Sequence, residues 1–146
     1  MYYISRTASD LLVKGKIVFI EIDPSLPQPL YEQVAVQIKF AIAAGTLRTH
    51  EMVPSVRDLS RQLAINPNTV VRAYRTLQDE EVLDSRRGIG LAVAEHAQAE
   101  CQKQRKEFFH ERFKNFLEEA ARSRLSREEL DEILKNSVFL PRKDPS

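Results

Sequence analysis

The stretch PSVRDLSRQLAINPNTVVRAY, residues 54–74, constrains the fold more tightly than any other part of the chain. Its pivot is Asn66-Pro67. Asparagine is a strong helix N-cap and proline suits the first helical position, where a missing N–H costs nothing, so a helix must begin here. Downstream, Val70, Ala73, Tyr74 and Leu77 recur at i, i+3, i+4 and i+7, the spacing of one buried helical stripe. That stripe leaves Asn68, Thr69, Arg72 and Thr76 on the opposite face. Ile65 before the cap and Val70 after it match a hydrophobic staple, which would set the entry angle. Upstream, Ser55 can cap a second short helix with Asp58 in the capping-box position, and Val56, Leu59 and Leu63 form its apolar stripe. Arg57, Arg61 and Gln62 then face solvent, and Ala64 and Ile65 make the turn. Two short helices joined in this way, the second with a polar outer face, are how a protein offers side chains to the major groove of DNA.

The flanks read as support for that pair. Residues 1–16 show no sustained periodicity and are taken as an N-terminal extension without a role. Lys16-Ile17-Val18-Phe19-Ile20-Glu21-Ile22 is β-branched and apolar, as a short strand requires. Pro24, Pro27 and Pro29 interrupt regular structure. From Pro29 to about Ala44, Leu30, Val34, Ile38, Ala41 and Ile42 predict a first helix, which Gly45 would end in the left-handed conformation. Beyond the central pair, residues 82–85 and 89–93 flank Arg86-Arg87-Gly88 and predict a two-stranded hairpin with arginines at its tip. A long helix is expected over about 94–124, followed by a shorter one capped by Ser126 and Glu129, with Leu125 and Leu130 as staple and Ile133, Leu134 and Val138 also inward. Residues 141–146 read as a frayed tail.

Composition sets outer bounds. With 146 residues there is room for one compact domain and an accessory element. No run of about 18 apolar residues occurs, so no transmembrane helix is expected, and the N-terminus lacks the pattern of a signal peptide. Cys101 is the only cysteine, so an intrachain disulfide is excluded, which fits a reducing cytoplasm. A net charge of +1 neither excludes nor suggests nucleic acid, because a groove reader needs a basic face and not a basic total. His50, His96 and His110 lack the i, i+4 spacing of a helical metal pair, and no nucleophile, phosphate loop or acid–base pair stands out. Neither a metal, a cofactor nor an enzymatic activity is expected.

With these residues on the page, the run from Pro29 to Val93 resembles the winged helix-turn-helix domain of the GntR family of bacterial transcription regulators. The matching features are the first helix ending in Gly45-Thr46-Leu47, Pro54-Ser55-Val56-Arg57-Asp58-Leu59, and Asn66-Pro67-Asn68-Thr69-Val70. Arg72-Ala73-Tyr74, Leu77 and the wing Arg87-Gly88-Ile89-Gly90 complete the match. The wording of PSVRDL and NPNTV, with only about fifty residues after the wing, is most similar to the YtrA subfamily. The resemblance implies a mainly α fold with a small β wing: an extension at 1–16, a DNA-binding domain at 17–93, a helical dimerisation pair at 94–140 and a tail at 141–146. It further implies a homodimeric, cytoplasmic regulator, usually a repressor, on an inverted-repeat operator, often beside genes for an ABC transporter. The chain departs from the pattern at His50 and Glu81, where glycine is common, and at Pro67, where several relatives carry an arginine that touches DNA.

Each signal has a plainer reading beside it. Arg57 is either a solvated helix residue or a DNA contact, and its place in PSVRDL favours contact. Asn68 and Thr69 are good first-turn residues, yet they stand where base contacts concentrate. Ser55 and Asn66 are caps first, with phosphate contact through nearby amides second. Arg72 would reach a phosphate or a base edge, and Arg75 lies off the central line. Arg86, Arg87 and Gly88 form the wing tip, where contact and simple solvation weigh equally. Phe108, Phe109, Phe113, Phe116 and Leu117 form an apolar stripe suited to core or dimer packing and not to a ligand cage. Cys101 falls on the same stripe as a small buried hydrophobe. The competing function is an effector-sensing regulator with a small-molecule site between the C-terminal helices; a protein–protein adaptor on the same fold is the remaining reading.

Overall fold

In a computed structural model of the chain, residues 9–13 and 16–137 are described. In order they form β1 (Ser9–Val13), β2 (Lys16–Ile20), α1 (Leu30–Ala43), α2 (Val56–Leu63), α3 (Pro67–Asp79), β3 (Leu83–Arg86), β4 (Gly90–Val93), α4 (Ala97–Arg122) and α5 (Arg127–Asn136). The chain divides into two compact units, Met1–Lys106 and Glu107–Ser146, and α4 begins in the first and ends in the second. The expected tail at 141–146 and Val138 lie outside the described residues, as do residues 1–8 of the N-terminal extension.

The first unit opens on an antiparallel hairpin in which β1 pairs with β2, Ser9 opposite Ile20 and Val13 opposite Lys16. The strand expected near residues 16–22 is present as β2, but its partner falls in the stretch read as an extension without a role. A strand is stabilised by what it pairs with, and single-strand patterning carries little of that information. The loop that follows is fastened to α1 by Gln33, a buried amide. Its Oε1 accepts from the Asp23 N–H at 2.8 Å, and its Nε2 donates to the carbonyls of Asp23 and Gln28, both at 2.9 Å. A buried amide left unpaired would cost about 1–3 kcal/mol, so these bonds decide where the proline-rich loop lies.

The helices form where the caps dictate. Ser55 accepts from the Asp58 N–H at 3.1 Å, and Asn66 Oδ1 accepts from the Asn68 N–H at 2.8 Å. Between α2 and α3, Ala64 takes the left-handed conformation at φ 53°, and its N–H closes on Arg61 and Ser60. The tight turn follows from that one residue. Val34, Ile38 and Ile42 of α1, Leu59 and Leu63 of α2, and Val70, Ala73, Tyr74 and Leu77 of α3 make the core, joined by Val82, Leu83 and Val93 of the wing. Fully burying each valine or leucine side chain contributes about 1.5–3 kcal/mol.

α4 docks on the same core through Ala97 and Cys101. Beside Cys101, the Lys39 ammonium of α1 pairs with the Glu80 carboxylate at the end of α3 and donates to Gln104 Oε1 of α4 at 3.0 Å. Gln102 Nε2 donates to the Ala43 carbonyl at 3.2 Å, so the end of α1 is capped from α4. Burial pushes the Cys101 thiol up to about 11, with Lys39 opposing the shift. The thiol is therefore neutral and behaves as a small hydrophobe.

In the second unit, Ser126 and Glu129 form a reciprocal capping box at the start of α5. Phe108 and Phe109 meet edge to face at 5.4 Å, and Phe113 and Phe116 stack at 6.3 Å. Ile133 and Leu134, expected to face inward, are instead 43% and 45% exposed. Two helices in one copy do not enclose both faces of a short amphipathic helix.

Candidate nucleic-acid interface

The outer face of α3 is built by its inner one. Because Val70, Ala73, Tyr74 and Leu77 are buried, Asn68 and Arg72 are held to solvent and Thr69 lies half-buried beside them. Tyr74 fixes the helix further, for its hydroxyl donates to the Pro54 carbonyl at 2.6 Å. Burial is the larger cause, and the Asp58 charge the smaller, that raises the Tyr74 phenol far above its ordinary range, so it stays a donor. Thr76, expected on the outer face, turns its hydroxyl to the Arg72 carbonyl at 3.0 Å and is half-buried. A threonine in a helix interior readily bonds back by four residues.

The front of α3 has no idle amides. Pro67 has no N–H, the Asn68 N–H is taken by Asn66 Oδ1, and the Thr69 N–H donates to the Asn66 carbonyl at 2.9 Å. Whatever this end of the helix contacts, it contacts with side chains. Ser55 stands at the head of α2 in the same capping role, and Arg57 is exposed in that helix's first turn.

Arg72 is placed by a residue that sequence spacing does not reveal. Its guanidinium lies over the Tyr31 ring of α1, 3.8 Å from the centroid. A cation on an aromatic face gains about 0.5–1 kcal/mol at an exposed site, and the stack limits where the charge can go. Nothing in the spacing of residues 31 and 72 signals this contact, which exists only once α1 packs on α3.

The wing is a β3–β4 ladder, Leu83 opposite Val93 and Arg86 opposite Gly90, widened by a third backbone segment. Met52 bridges Ala92, the His50 N–H donates to the Val93 carbonyl at 2.8 Å, and the Val53 N–H donates to Leu91 at 2.9 Å. The turn closes through Ile89 N–H to the Arg86 carbonyl, with Gly88 at φ 74° and Gly90 at φ 138°. The φ of Gly90 strains any other residue, and a Cβ there would also press to 3.1 Å on the Met52 terminal methyl, which would have to shift. Arg87 and Gly88 are exposed at the tip. Arg86 is exposed too, but Nη2 donates to His50 Nδ1 at 2.8 Å.

The two helices, the supporting α1 and the wing together reproduce the arrangement that the sequence motifs anticipate. The family model for bacterial regulatory proteins of the gntR family matches residues 30–93, from the start of α1 to the end of β4. The HTH-type transcriptional repressor YtrA of Bacillus subtilis (strain 168) is 32% identical over 116 residues, covering 80% of this chain and 89% of that protein. The chain belongs to the GntR family. Among solved structures, a GntR family transcriptional regulator from Listeria monocytogenes superposes with a TM-score of 0.66 at 27% identity, covering 80% of this chain and all of that one. YtrA from Sulfolobus acidocaldarius, a GntR-family transcription factor, is 36% identical with a TM-score of 0.50 over 51% of this chain and 79% of its own.

As a GntR protein the chain is a DNA-binding transcriptional regulator, and its winged fold with C-terminal helices is that of its relatives. The two positions at which it departs from the family's glycines both adopt the left-handed conformation, His50 at φ 66° and Glu81 at φ 58°. The backbone therefore keeps the glycine shape without the glycine.

Outside the reading domain, the stripe on α4 is open to solvent: Phe109, Phe113 and Phe116 are 55%, 49% and 42% exposed, and Phe108 and Leu117 are half-buried. Among the described residues, no helix is long and apolar enough to cross a membrane, and no cluster of three metal-ligating side chains forms.

Proposed function

We propose that this GntR protein is a homodimeric repressor of the bacterial cytoplasm that binds an inverted-repeat operator, one half-site to each copy. The observation that carries the dimer is the stripe Phe109, Phe113 and Phe116, which with Ile133 and Leu134 presents large apolar side chains to water in a single copy. A monomeric soluble protein rarely leaves a run of large aromatic side chains exposed along one helix face. A two-fold dimer binds a two-fold operator, with half-sites a helical turn or a multiple apart.

In this reading α3 enters the major groove and Asn68, Thr69 and Arg72 contact base edges. Ser55, Arg57 and Asn66 hold the phosphate backbone beside it, and Arg86, Arg87 and Gly88 touch the flank. The supporting facts are the exposure of all these residues but the half-buried Thr69, the rigid capping of both helices and the absence of acidic residues from the first turn of α3. The likeness to YtrA supports repression, and the subfamily resemblance points to genes for an ABC transporter as targets.

Selection of bound fragments from genomic DNA by the purified protein tests the whole reading. An inverted repeat upstream of transporter genes is expected. A bound site without two-fold symmetry, from a protein that sediments as a monomer, would remove the dimeric reading.

A further inference from the structure

Three side chains from three separate segments meet alongside the wing. Arg86 ends β3, Glu95 follows β4, and His50 lies in the loop before α2. Arg86 Nη2 is 2.8 Å from His50 Nδ1, and His50 Nε2 is 3.6 Å from the Glu95 carboxylate. A guanidinium has donors and no acceptor, so Nδ1 must accept with its lone pair. The ring proton then sits on Nε2, toward Glu95. The imidazole is itself anchored, since its backbone N–H donates to Val93 in β4 and its φ of 66° is left-handed. A non-glycine residue bears a cost of about 1–2 kcal/mol in that conformation. Glycine would adopt the same turn without strain, and without a ring to hold Arg86.

We propose that His50 is a positioning residue for DNA binding by the wing: as neutral imidazole it holds the Arg86 guanidinium at the strand end where a backbone phosphate meets it. The proposal rests on the reading of the wing as a DNA contact. An arginine on a long flexible stem loses rotamer freedom when it takes up a phosphate, and one already held loses less.

The same geometry makes the clamp sensitive to protonation. A proton on Nδ1 turns the acceptor into a donor and sets two cations against each other, so Arg86 leaves. The Nε2–H then faces Glu95 as a charged pair. The other titratable groups on the segments that bring these three together are Arg48 and Glu51 on the loop of His50, Asp84 on β3 and His96 after Glu95; β4, Gly90–Val93, carries no titratable side chain. The Glu51 carboxylate accepts the Arg48 N–H at 2.7 Å.

Fluorescence anisotropy with the full chain and a long labelled mixed-sequence duplex reads this directly, because a phosphate contact does not depend on sequence. At about pH 8, where histidine is neutral, Arg86→Ala should weaken binding by about threefold to fivefold, the size of one exposed ion pair. His50→Gly should weaken it measurably but by no more than Arg86→Ala, the double variant should bind no worse than Arg86→Ala alone, and only Arg86→Ala should flatten the salt dependence, by about one phosphate. At about pH 5.5 the advantage of wild type over His50→Gly should shrink. A thermal melt of His50→Gly no lower than wild type shows that the fold is intact. If Arg86→Ala binds weakly while His50→Gly matches wild type, or if the advantage persists in acid, the clamp is wrong and the wing reading stands. If Arg86→Ala binds like wild type, the wing reading fails and the clamp with it.

Discussion

The phenolic hydroxyl of Tyr74 donates to the backbone carbonyl of Pro54, twenty residues earlier, at 2.6 Å. It ties the middle of α3 to the turn from which α2 starts. The two helices that must keep a fixed angle are thus joined by a bond as well as by packing. Tyr74→Phe keeps the ring and removes the bond, and should lower unfolding free energy by about 0.5–1.5 kcal/mol. Urea denaturation measures it. An unchanged midpoint would mean that water replaces the hydroxyl at the half-buried Pro54.

Glu81→Gly should stabilise the protein by about 0.5–1 kcal/mol, because relief of the left-handed strain outweighs the extra freedom of glycine in the unfolded chain. The residue is exposed and its φ is 58°, so little else changes. The check is a rise in thermal midpoint, and a fall would show that Glu81 makes a contact worth more than its strain.

Arg72→Ala should weaken operator binding by about 1–3 kcal/mol, the worth of a bidentate base contact, and Arg57→Ala should weaken binding to all sequences alike and reduce the salt slope by about one, as loss of a phosphate contact does. The two differ in a second measurement. Arg72 lies on Tyr31, so its removal should also lower stability by about 0.5–1 kcal/mol, whereas Arg57→Ala should not. A gel-shift titration beside a denaturation curve separates the effects, and unaltered titration excludes that arginine from the interface.

These contacts show where sequence reading succeeds and where it stops. Caps at Ser55, Asn66 and Ser126, and the stripe Val70, Ala73, Tyr74 and Leu77, are local patterns, and each stands in the structure as the spacing predicts. Strand β1 lies in a stretch without sustained periodicity, although two apolar runs flanking Lys14-Gly15 offer a hairpin signal. Arg72 on Tyr31, Arg86 on His50, and Lys39 between Glu80 and Gln104 join residues far apart in the chain. No periodicity encodes them. The DNA-contact roles proposed for Arg57, Asn68, Thr69 and Arg72 rest on the family motif, since exposure and polarity alone fit a solvated helix equally well.

Phe109→Gln combined with Phe113→Gln should convert the protein to monomers, because two of the most exposed aromatic side chains of the stripe would no longer gain by leaving water. Sedimentation velocity reads the result. A dimer that survives the double change places the pairing surface elsewhere.

Acid should loosen the start of α5. Hydrogen bonds from the Ser126 backbone and then its hydroxyl hold the Glu129 carboxyl below its ordinary range. A folded-state value below the unfolded one means the contribution is complete above about pH 4.3 and is lost as pH falls through the folded value. Amide protection in the first turn of α5, relative to the intrinsic exchange rate at each pH, should fall in that acid window, and Glu129→Gln should flatten the response. Protection that is indifferent to acid in wild type would show that the cap does not depend on charge.

The cap at the front of α3 uses the backbone N–H groups of Asn68 and Thr69 together with the side chain of Asn66. The side chains of residues 68 and 69 are not what holds the helix in place. Architecture and alphabet are thereby written in different atoms. If residues 68 and 69 read bases as proposed, a lineage can exchange the letters there and acquire a new operator while the helix, its cap and its angle stay as they were. Such a fold can change what it recognises one side chain at a time, without passing through an unfolded ancestor.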